Sequence, residues 1–319
     1  MIMVVTKTGD ATADYVLEKM TKRQIPHIRF NSDEFSNDII DLNFGSRNSN
    51  SVIVVGCRKI YLEEIKAVWF RRLIRPNVLG IANEEARQFA EQEFDFTMRW
   101  LIDSLNCPII DREVDIMKAR NKFAQLKLAE KIGFRIPDTL ITNSPSKAHK
   151  FIEKYEAVAI KTIAGYGRRL NNGFETVYTQ MLTPKIIQKF DSIRLAPICL
   201  QEYIEKKFEL RITIVGERIF GCRIDSQQCP KARIDWRKGN AHLAHLEYAV
   251  DQDTASKLLK MMVHFRINFA AFDLIVTPKG EVVFLEMNPS GQFVWIEELT
   301  GMPISDALID ELIKPVKTS

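Results

Sequence analysis

The sequence of 319 residues is poor in cysteine, with five in all and no Cys-x-x-Cys spacing. They are scattered along the chain and odd in number: Cys57, Cys107, Cys199, Cys222 and Cys229. A disulfide framework needs pairs, and a structural zinc site needs closely spaced ligands, so the pattern argues against both. It predicts reduced thiols and a cytoplasmic protein.

Long hydrophobic runs are also absent. The longest, such as Val52–Val55, fall far short of the ~20 residues that cross a bilayer. The apolar start at Met1–Thr6 has no basic residues before it and meets Lys7 and Asp10 too soon for a signal peptide. We therefore expect no membrane partner.

The chain also has little excess of positive over negative charge. The formal net charge is +4, which is too mild for a nucleic-acid-binding arm, so we expect no nucleic-acid partner. The excess is local, because residues 206–238 contain nine basic and four acidic side chains. With 46% hydrophobic and 27% charged residues, the chain has the composition of a globular protein of about two domains.

Strands and helices alternate over the first 105 residues, which predicts a small α/β domain with a mostly parallel sheet. The predicted strands are 2–6, 28–30, 52–55 and 67–70, and the predicted helices are 11–23 and 83–105. In the second helix, Phe89, Phe96, Trp100 and Leu101 recur at helical spacing, a pattern typical of a core face.

The pattern of predicted strands and helices changes after Pro108, and it predicts an α+β fold in two lobes for the rest of the chain. The predicted helices are 115–132, a segment from Pro145, 183–190, 252–265 and the region 292–313. The predicted strands are 157–161, 175–178, 198–204, the hairpin 208–215 with 218–225, 270–276 and 282–287. We predict three units: an N-terminal α/β domain at 1–108, a central lobe at 109–200 and a C-terminal lobe at 201–319.

Acidic and amide side chains interrupt the last two apolar strands. Asp273 lies inside one of them, while Glu286 and Asn288 stand two residues apart at the end of the other. Residues i and i+2 of a strand share a face, and hairpin pairing would bring Asp273 to them. Three hard oxygen ligands suit Mg²⁺, so we predict a magnesium site.

Two lysines and a glycine loop come earlier in the chain. Lys161 ends a buried strand just before the loop 162–173, which contains Gly165 and Gly167, and Lys122 stands on the preceding helix. Lysines and loop amides in one cleft can hold nucleotide phosphates, although the loop matches neither a Walker A nor a Rossmann pattern.

The segment from 201 to 225 offers further nucleotide contacts. Backbone groups of Glu202, Tyr203 and Ile204 can face an adenine edge, and Glu209 can bind ribose hydroxyls. Arg211 and Arg223 are expected to point into one region from opposite strands of a hairpin, where guanidinium forks suit phosphate or carboxylate.

The order of these features resembles the ATP-grasp superfamily. Several segments are similar to the ATP-grasp ribosomal peptide maturases, which make microviridins and related ω-ester or ω-amide cross-linked peptides (graspetides). They are Thr6-x-x-x-Asp10, Trp69-Phe70-Arg71-Arg72, 201–206, Glu209-Leu210-Arg211, Asp235-Trp236-Arg237 and 284–292. The resemblance implies an ATP-grasp fold preceded by a pre-ATP-grasp α/β domain.

It also implies an ATP- and Mg²⁺-dependent ligase that phosphorylates Asp or Glu side chains of an acidic precursor peptide for attack by Thr or Ser hydroxyls or a Lys amine. The resemblance assigns magnesium binding to Asp273, Glu286 and Asn288. It assigns ATP binding to Lys122, Lys161, Gly167, the hinge 202–204, Glu209 and Arg211. Arg211, Arg223, Asp235 and Arg237 are the catalytic candidates, and Arg71 and Arg72 are candidates near the substrate, unless Arg71 pairs with an internal carboxylate.

Further expectations are a leader peptide docked around 181–195 and 206–250, a possible homodimer, and at most one base among His242 and His245, with Asp235 an alternative. Two other interpretations stay open. One is an ATP-grasp ligase that adds amino acids to a peptide or protein end, like the ribosomal-protein glutamate ligases. The other is a nucleotide-binding scaffold without turnover.

Overall fold

The computed structural model describes residues 1–34, 39–44, 51–76, 78, 80–163, 168–170, 173–175, 177–239 and 243–315. The side chains of Ile39 and of residues 168–170 and 173–175 are not among them. The predicted nucleotide contact Gly167, its neighbour Gly165 and the candidate base His242 lie outside the described residues.

The N-terminal domain is built on a parallel sheet of order β2-β1-β6-β7. Its elements are β1 (Ile2–Thr6), α1 (Ala11–Lys22), β2 (His27–Asn31), β3 (Ile39–Asp41), β4 (Val52–Val55), β5 (Arg58–Tyr61), β6 (Ala67–Phe70), α2 (Glu84–Ser104) and β7 (Ile109–Ile110). Asp10 caps α1 by accepting from the Thr12 and Ala13 amides. Strands β3, β4 and β5 form a separate antiparallel sheet, so Val52–Val55 does not extend the parallel one.

Helix α2 buries a different face from the predicted one. Met98, Leu101 and Ile102 are buried in the domain core, whereas Phe89 and Trp100 are 66% and 68% exposed. The predicted core stripe is therefore wrong for Phe89, Phe96 and Trp100, because these residues fall on the solvent side of the helix. Periodicity finds such a stripe but does not say which apolar face the sheet covers.

The predicted helix over 115–132 is two helices, α3 (Glu113–Ala119) and α4 (Lys122–Lys131). The chain breaks at Asn121, whose side chain accepts from the amides of Phe123 and Ala124 and caps α4. Both helices pack on the C-terminal lobe, with Ala119 and Ala129 in its core, and β7 pairs with β6. Arg135 bridges Val283, and Ile136 packs against the same core, so the part of the chain that packs within the central lobe begins after Ile136, whereas the predicted boundary is 109.

The central lobe is an antiparallel sheet of order β12-β9-β13-β8 with its own small core. Its elements are β8 (Thr139–Thr142), α5 (Pro145–Ile152), β9 (Val158–Lys161), the pair β10 (Arg168–Leu170) and β11 (Gly173–Glu175), β12 (Gln180–Met181), α6 (Pro184–Ile187), a 3-10 helix over Phe190–Leu195 and β13 (Ile198–Glu202). The predicted strand 175–178 is wrong over 177–178, which are irregular, and the predicted helix 183–190 is shorter than expected.

The C-terminal lobe is a five-stranded antiparallel sheet of order β16-β15-β14-β17-β18. Its elements are β14 (Phe208–Val215), β15 (Arg218–Ile224), β16 (His245–Glu247), α7 (Gln252–Phe265), β17 (Phe269–Val276), β18 (Val282–Asn288), α8 (Val294–Thr300) and α9 (Ile304–Ile313). The predicted hairpin 208–225 is confirmed. Helices α8 and α9 are separated at Gly301, whose φ of +76° ends α8 in the left-handed region that favours glycine.

One hydrophobic core joins the N-terminal domain to the C-terminal lobe. It runs from Val4 and Val16 to Phe293 and Leu308, all fully buried. All five cysteines are described, and they are free thiols. Within the described ranges, no helix is long and apolar enough to span a bilayer.

Candidate active site

Asp273, Glu286 and Asn288 are brought together where β17 pairs with β18. Asp273 lies opposite Glu286, and Ala271 lies opposite Asn288. The register shifts between Asp273 and Leu274, so that Leu285 is an extra residue on β18. Without this bulge Asp273 would face Leu285, and Glu286 would point to the other side of the sheet. The predicted cluster therefore forms, but only because of the bulge.

The cluster is held by an amide and two cations. Asn288 Nδ2 donates to Asp273 Oδ2 and to Glu286 Oε1, each at 3.1 Å. Arg211 Nη1 donates to both Asp273 oxygens at 2.8 and 2.7 Å, and Lys122 Nζ lies 2.8 Å from Glu286 Oε2. The cap at Asn121 places Lys122 at the first turn of α4, facing Glu286.

The two carboxyl groups respond differently to this environment. Burial raises the pKa of Asp273, and the Arg211 guanidinium offsets this only in part. Burial acts the same way on Glu286, but the ammonium groups of Lys122 and Lys161 outweigh it and hold the pKa of Glu286 well below its usual range. Glu286 is thus kept ionised.

The donor set fits a hard divalent cation. Among the described residues, no three His, Cys, Asp or Glu side chains gather, which leaves this pair of carboxylates with one amide. Turning the Asn288 amide over would place its Oδ1 where Nδ2 lies, between the two carboxylates. Three oxygen donors then leave positions for phosphate oxygens and water, as magnesium prefers.

The turn after β18 is fixed from three sides. Arg71 Nη1 donates to the Ser290 carbonyl at 2.5 Å, and Arg120 Nη2 lies 3.3 Å from Ser290 Oγ. Arg211 Nη2 reaches the Gln292 carbonyl at 3.4 Å. A side chain at Gly291 would begin 2.6 Å from Ala271 Cβ and 2.9 Å from Arg211 Nη2, so only glycine fits there.

Arg71 itself is 3% exposed, and its Nε lies 3.6 Å from Asp10 Oδ2. Burial lowers the pKa of Arg71 to about 10. The predicted pairing with an internal carboxylate is therefore confirmed, and the buried guanidinium supports the Ser290 turn. Arg72 is half-buried, and its Nε lies 3.5 Å from the same Asp10 oxygen.

The hinge combines paired backbone with an apolar surface. The Glu202 amide donates to Asp138 O at 2.8 Å, and the Tyr203 amide donates to Ala157 O at 3.0 Å. Among the described residues, none accepts from the Ile204 amide. Below it lies an apolar cluster formed by Ile204, Ile275, Val283 and the bulged Leu285. This arrangement offers a donor and an apolar floor to a planar ring.

Two other predicted nucleotide residues have protein partners. Lys161 Nζ lies 3.2 Å from Gln201 Oε1, yet it is close enough to Glu286 to lower the pKa of that carboxyl. Glu209 is buried and accepts from Lys206 Nζ at 2.7 Å. Burial raises the pKa of Glu209, partly offset by Lys206. A ribose contact at Glu209 stays a prediction.

Asp235 is buried and fully engaged. It accepts from Arg237 Nε at 2.8 Å, from Arg237 Nη2 at 2.5 Å and from the Thr179 amide at 3.1 Å. Burial would raise the pKa of Asp235, but Arg237 brings it below its usual value. Such a carboxylate suits an anchor better than a base. The hydrogen bonds and charge of Asp235 raise the pKa of Arg237, and the charges of Glu286 and Asp273 add to this effect.

Arg223 is not at this site. It lies opposite Leu210, while Arg211 lies opposite Cys222, so the two arginines point to opposite faces of the sheet. Arg223 stacks on Phe208, with Cζ 4.4 Å from the ring centre, and bonds Asp225. The expectation that Arg211 and Arg223 share one region is wrong, because residues on neighbouring strands share a face only at matching register positions.

His245 is buried against the Trp295 ring, with 5.2 Å between ring centres, and burial lowers its pKa. It is therefore not placed to act as a base on a substrate.

Sequence reasoning missed Gln125. Its Nε2 donates to Met287 O at 2.8 Å, and its Oε1 accepts from the Met287 amide at 3.0 Å. Strand β18 lies at the edge of its sheet, and the Gln125 side chain pairs with the backbone of Met287 as a neighbouring strand would. Met287 stands between Glu286 and Asn288. A glutamine three residues after Lys122 carries no signal of this without the fold. Arg120 was missed for the same reason.

The chain matches two family models in succession. Residues 1–117 match the MvdD pre-ATP grasp domain, and residues 119–312 match the RimK-like ATP-grasp domain. Among curated proteins, a probable alpha-L-glutamate ligase 2 of Shewanella denitrificans is 23% identical over 214 residues, covering 66% of this chain and 68% of that one.

Two solved structures are similar over nearly the whole length. A Chryseobacterium gregarium RiPP-associated ATP-grasp ligase in complex with ADP and a leader and core peptide has a TM-score of 0.90 and 31% identity, covering 98% of this chain and 96% of that one. The macrocyclase MdnC from Microcystis aeruginosa, bound with precursor peptide MdnA, has a TM-score of 0.87 and 30% identity, covering 98% and 99%. With two successive domain matches and this likeness along its full length, the chain belongs to the RimK-like ATP-grasp family of ligases, among the RiPP-associated members.

Proposed function

We propose that this protein is an ATP-dependent macrocyclase of a ribosomally made, acidic precursor peptide. An Asp or Glu side chain of the peptide takes the γ-phosphoryl group of ATP, and ADP leaves. A Thr or Ser hydroxyl or a Lys amine then attacks the acyl-phosphate, loses its proton and displaces phosphate. The product is an ω-ester or ω-amide ring.

The observation that carries the proposal is the convergence of cations on the acidic cluster. Lys122 and Arg211 contact Glu286 and Asp273 directly, and Lys161 and Arg237 interact with them electrostatically. Phosphorylating a carboxylate requires two anions to meet, which positioning and fixed positive charge make possible. Magnesium held by Asp273, Glu286 and Asn288 would supply further charge neutralisation.

A peptide substrate is supported by the relatives, since the two similar structures were solved with leader and core peptide or with precursor peptide. The local basic excess at 206–238 supports an acidic one. Arg120 lies against the turn at Ser290, and Arg72 lies beside Asp10; both are our candidates for contacts to peptide carboxylates.

The test is a mass measurement. The purified protein is mixed with ATP, Mg²⁺ and each acidic, Thr- or Lys-containing peptide encoded beside its gene. We expect loss of one water mass per cross-link, and none with Glu286→Gln or without ATP. Unchanged mass for all such peptides would contradict the proposal.

A second candidate is a ligase that adds glutamate to a peptide or protein, which the likeness to glutamate ligases favours. The same reaction with free glutamate present separates the two. A macrocyclase product loses mass, whereas a ligase product gains one residue.

We further propose that the enzyme is cytoplasmic and forms a homodimer. The exposed stripe of Phe89, Phe96 and Trp100 on α2 is an apolar surface that a second copy would cover. Light scattering on wild type and Trp100→Glu tests this: a dimer that becomes monomeric supports it, and a monomeric wild type contradicts it.

A further inference from the structure

The central lobe and the C-terminal lobe meet at five residues that we call the latch. Tyr178 and Thr179 precede β12 in the central lobe, and Asp235, Arg237 and Lys238 belong to a short 3-10 turn of the C-terminal lobe. The Thr179 amide donates to Asp235 Oδ2. The Tyr178 ring lies 5.5 Å from Arg237 Cζ and 5.3 Å from Lys238 Nζ, within the range of a cation–π contact.

The latch stands apart from the hinge. Among the described residues, the other hydrogen bond between these lobes is the long contact of Arg135 with Glu202, beside the hinge itself. The central lobe also has its own core, separate from that of the sheet carrying Asp273. The latch contacts therefore form or break according to the position of the central lobe over the cleft.

The C-terminal half of the latch is fixed in place. Trp236 packs against Trp295 of α8, with 5.1 Å between ring centres. Asp235 accepts the backbone amide of Arg237 at 3.2 Å as well as two side-chain nitrogens. This fork engages Nε and Nη2 of the guanidinium, and among the described residues none accepts from Nη1. The charges of Glu286 and Asp273 act on the same guanidinium.

We infer that Tyr178 and Asp235 are positioning residues that together hold the Arg237 guanidinium in one orientation only while the central lobe is closed. The inference rests on the proposed function, in which Arg237 is one of the cations that act on the acidic cluster. When the central lobe swings away, Asp235 loses the Thr179 donor and Arg237 loses its aromatic support. The guanidinium is then held by Asp235 alone, its orientation is less restricted, and phosphoryl transfer without an enclosed substrate is disfavoured.

The first test needs no turnover. Hydrogen–deuterium exchange is measured with Mg·ADP for wild type and Tyr178→Leu. We expect Tyr178→Leu to increase exchange across the interface, at residues 235–239 of the other lobe. Tyr61→Leu is the matched control, because Lys59 covers that ring at 5.3 Å in the N-terminal domain. Unchanged exchange at 235–239 in Tyr178→Leu would overturn the latch, whatever the protein does to peptides.

The second test is a double-mutant cycle on ADP release with Tyr178→Leu and Arg237→Lys. Losing a group that orients a metal-ligating side chain typically costs about 10- to 100-fold in activity, and we take the same range for a group that orients Arg237. We expect Tyr178→Leu to lower kcat within that range with unchanged Tm, and to cost nothing more once Arg237 is Lys. Additive losses would show that Tyr178 does not act through Arg237 and would overturn the inference. Absence of any ring product in wild type contradicts the proposed function alone.

Discussion

The N-terminal domain and the central lobe are attached to the C-terminal lobe in different ways. The first shares a continuous core with it, and the ion pair of Lys19 with the buried Glu297 crosses the same joint. The central lobe has a core of its own and is tied by the hinge and the latch. The wall of the cleft that bears Asp273 and Glu286 is thus fixed through a shared core, while, among the described residues, the wall that bears Lys161 is joined to it at the hinge and the latch.

A matched pair of substitutions tests this difference most strongly. Leu308 and Leu200 are both fully buried, the first in the shared core and the second in the core of the central lobe. Each Leu→Ala change should cost roughly 2–5 kcal/mol of unfolding free energy. Leu308→Ala should raise hydrogen exchange in both β6 and β14, and Leu200→Ala only within residues 139–202.

The comparison fails if Leu200→Ala raises exchange in β1 or β17 as much as it does in β13. The lobe would then not be an independent cooperative unit.

The fixed wall is next probed at Glu286. Glu286→Gln keeps the size of the side chain but removes the charge that faces Lys122 and the cation site. We expect ADP release to fall at least ~10²-fold, as for loss of a main electrostatic group. Glu247→Gln, at an exposed position of β16, is the control. An unchanged rate in Glu286→Gln would exclude the assigned role.

Most elements of both walls could be predicted, because long apolar periods and turn residues are local signals. The hairpin 208–225 and the strands containing Asp273 and Glu286 follow from them. The bulge at Leu285 could not be predicted, because it depends on how two strands align across a turn. Yet it decides whether Glu286 faces the site at all.

The errors share this cause. The predictions for Arg223 and for the stripe on α2 place these side chains on the wrong face, because spacing along the chain fixes neither the strand register nor the side of a helix that becomes covered. A catalytic role of Asp235 stays a prediction, but the motif does not reveal its partner Thr179, which is 56 residues away in the chain. Contacts between distant segments fix the roles of such residues.

The fixed joint contains a titrating group, Asp111. It accepts from Asn268 N at 2.7 Å and Phe269 N at 3.0 Å, and burial raises its pKa to about 7. The folded protein therefore binds a proton more tightly here than the unfolded chain does. This contribution to stability is present at low pH and is lost as pH rises towards 7.

From pH 5 to 7.5 the loss at Asp111 should be about 2 kcal/mol. Asp111→Asn should remove that pH-dependent loss from the unfolding free energy measured by urea denaturation, whatever its effect on absolute stability. An identical slope in the variant and wild type would exclude Asp111 as the titrating group.

The smallest expected effect decides what holds the fixed joint together. Arg23, which caps the C-terminal end of α1, bonds Asp310 at 2.6 Å and Asp306 at 3.2 Å across the joint, but all three side chains are about a third or more exposed. Exposed pairs contribute about 0–1 kcal/mol and weaken with salt, so Arg23→Gln should cost less than about 1 kcal/mol. Lys22→Gln is its control, because the ion pair of Lys22 is with Glu18 of the same helix. If Arg23→Gln instead cost as much as Leu308→Ala, the joint would depend on its ions, and high salt would then loosen the N-terminal domain as readily as the central lobe.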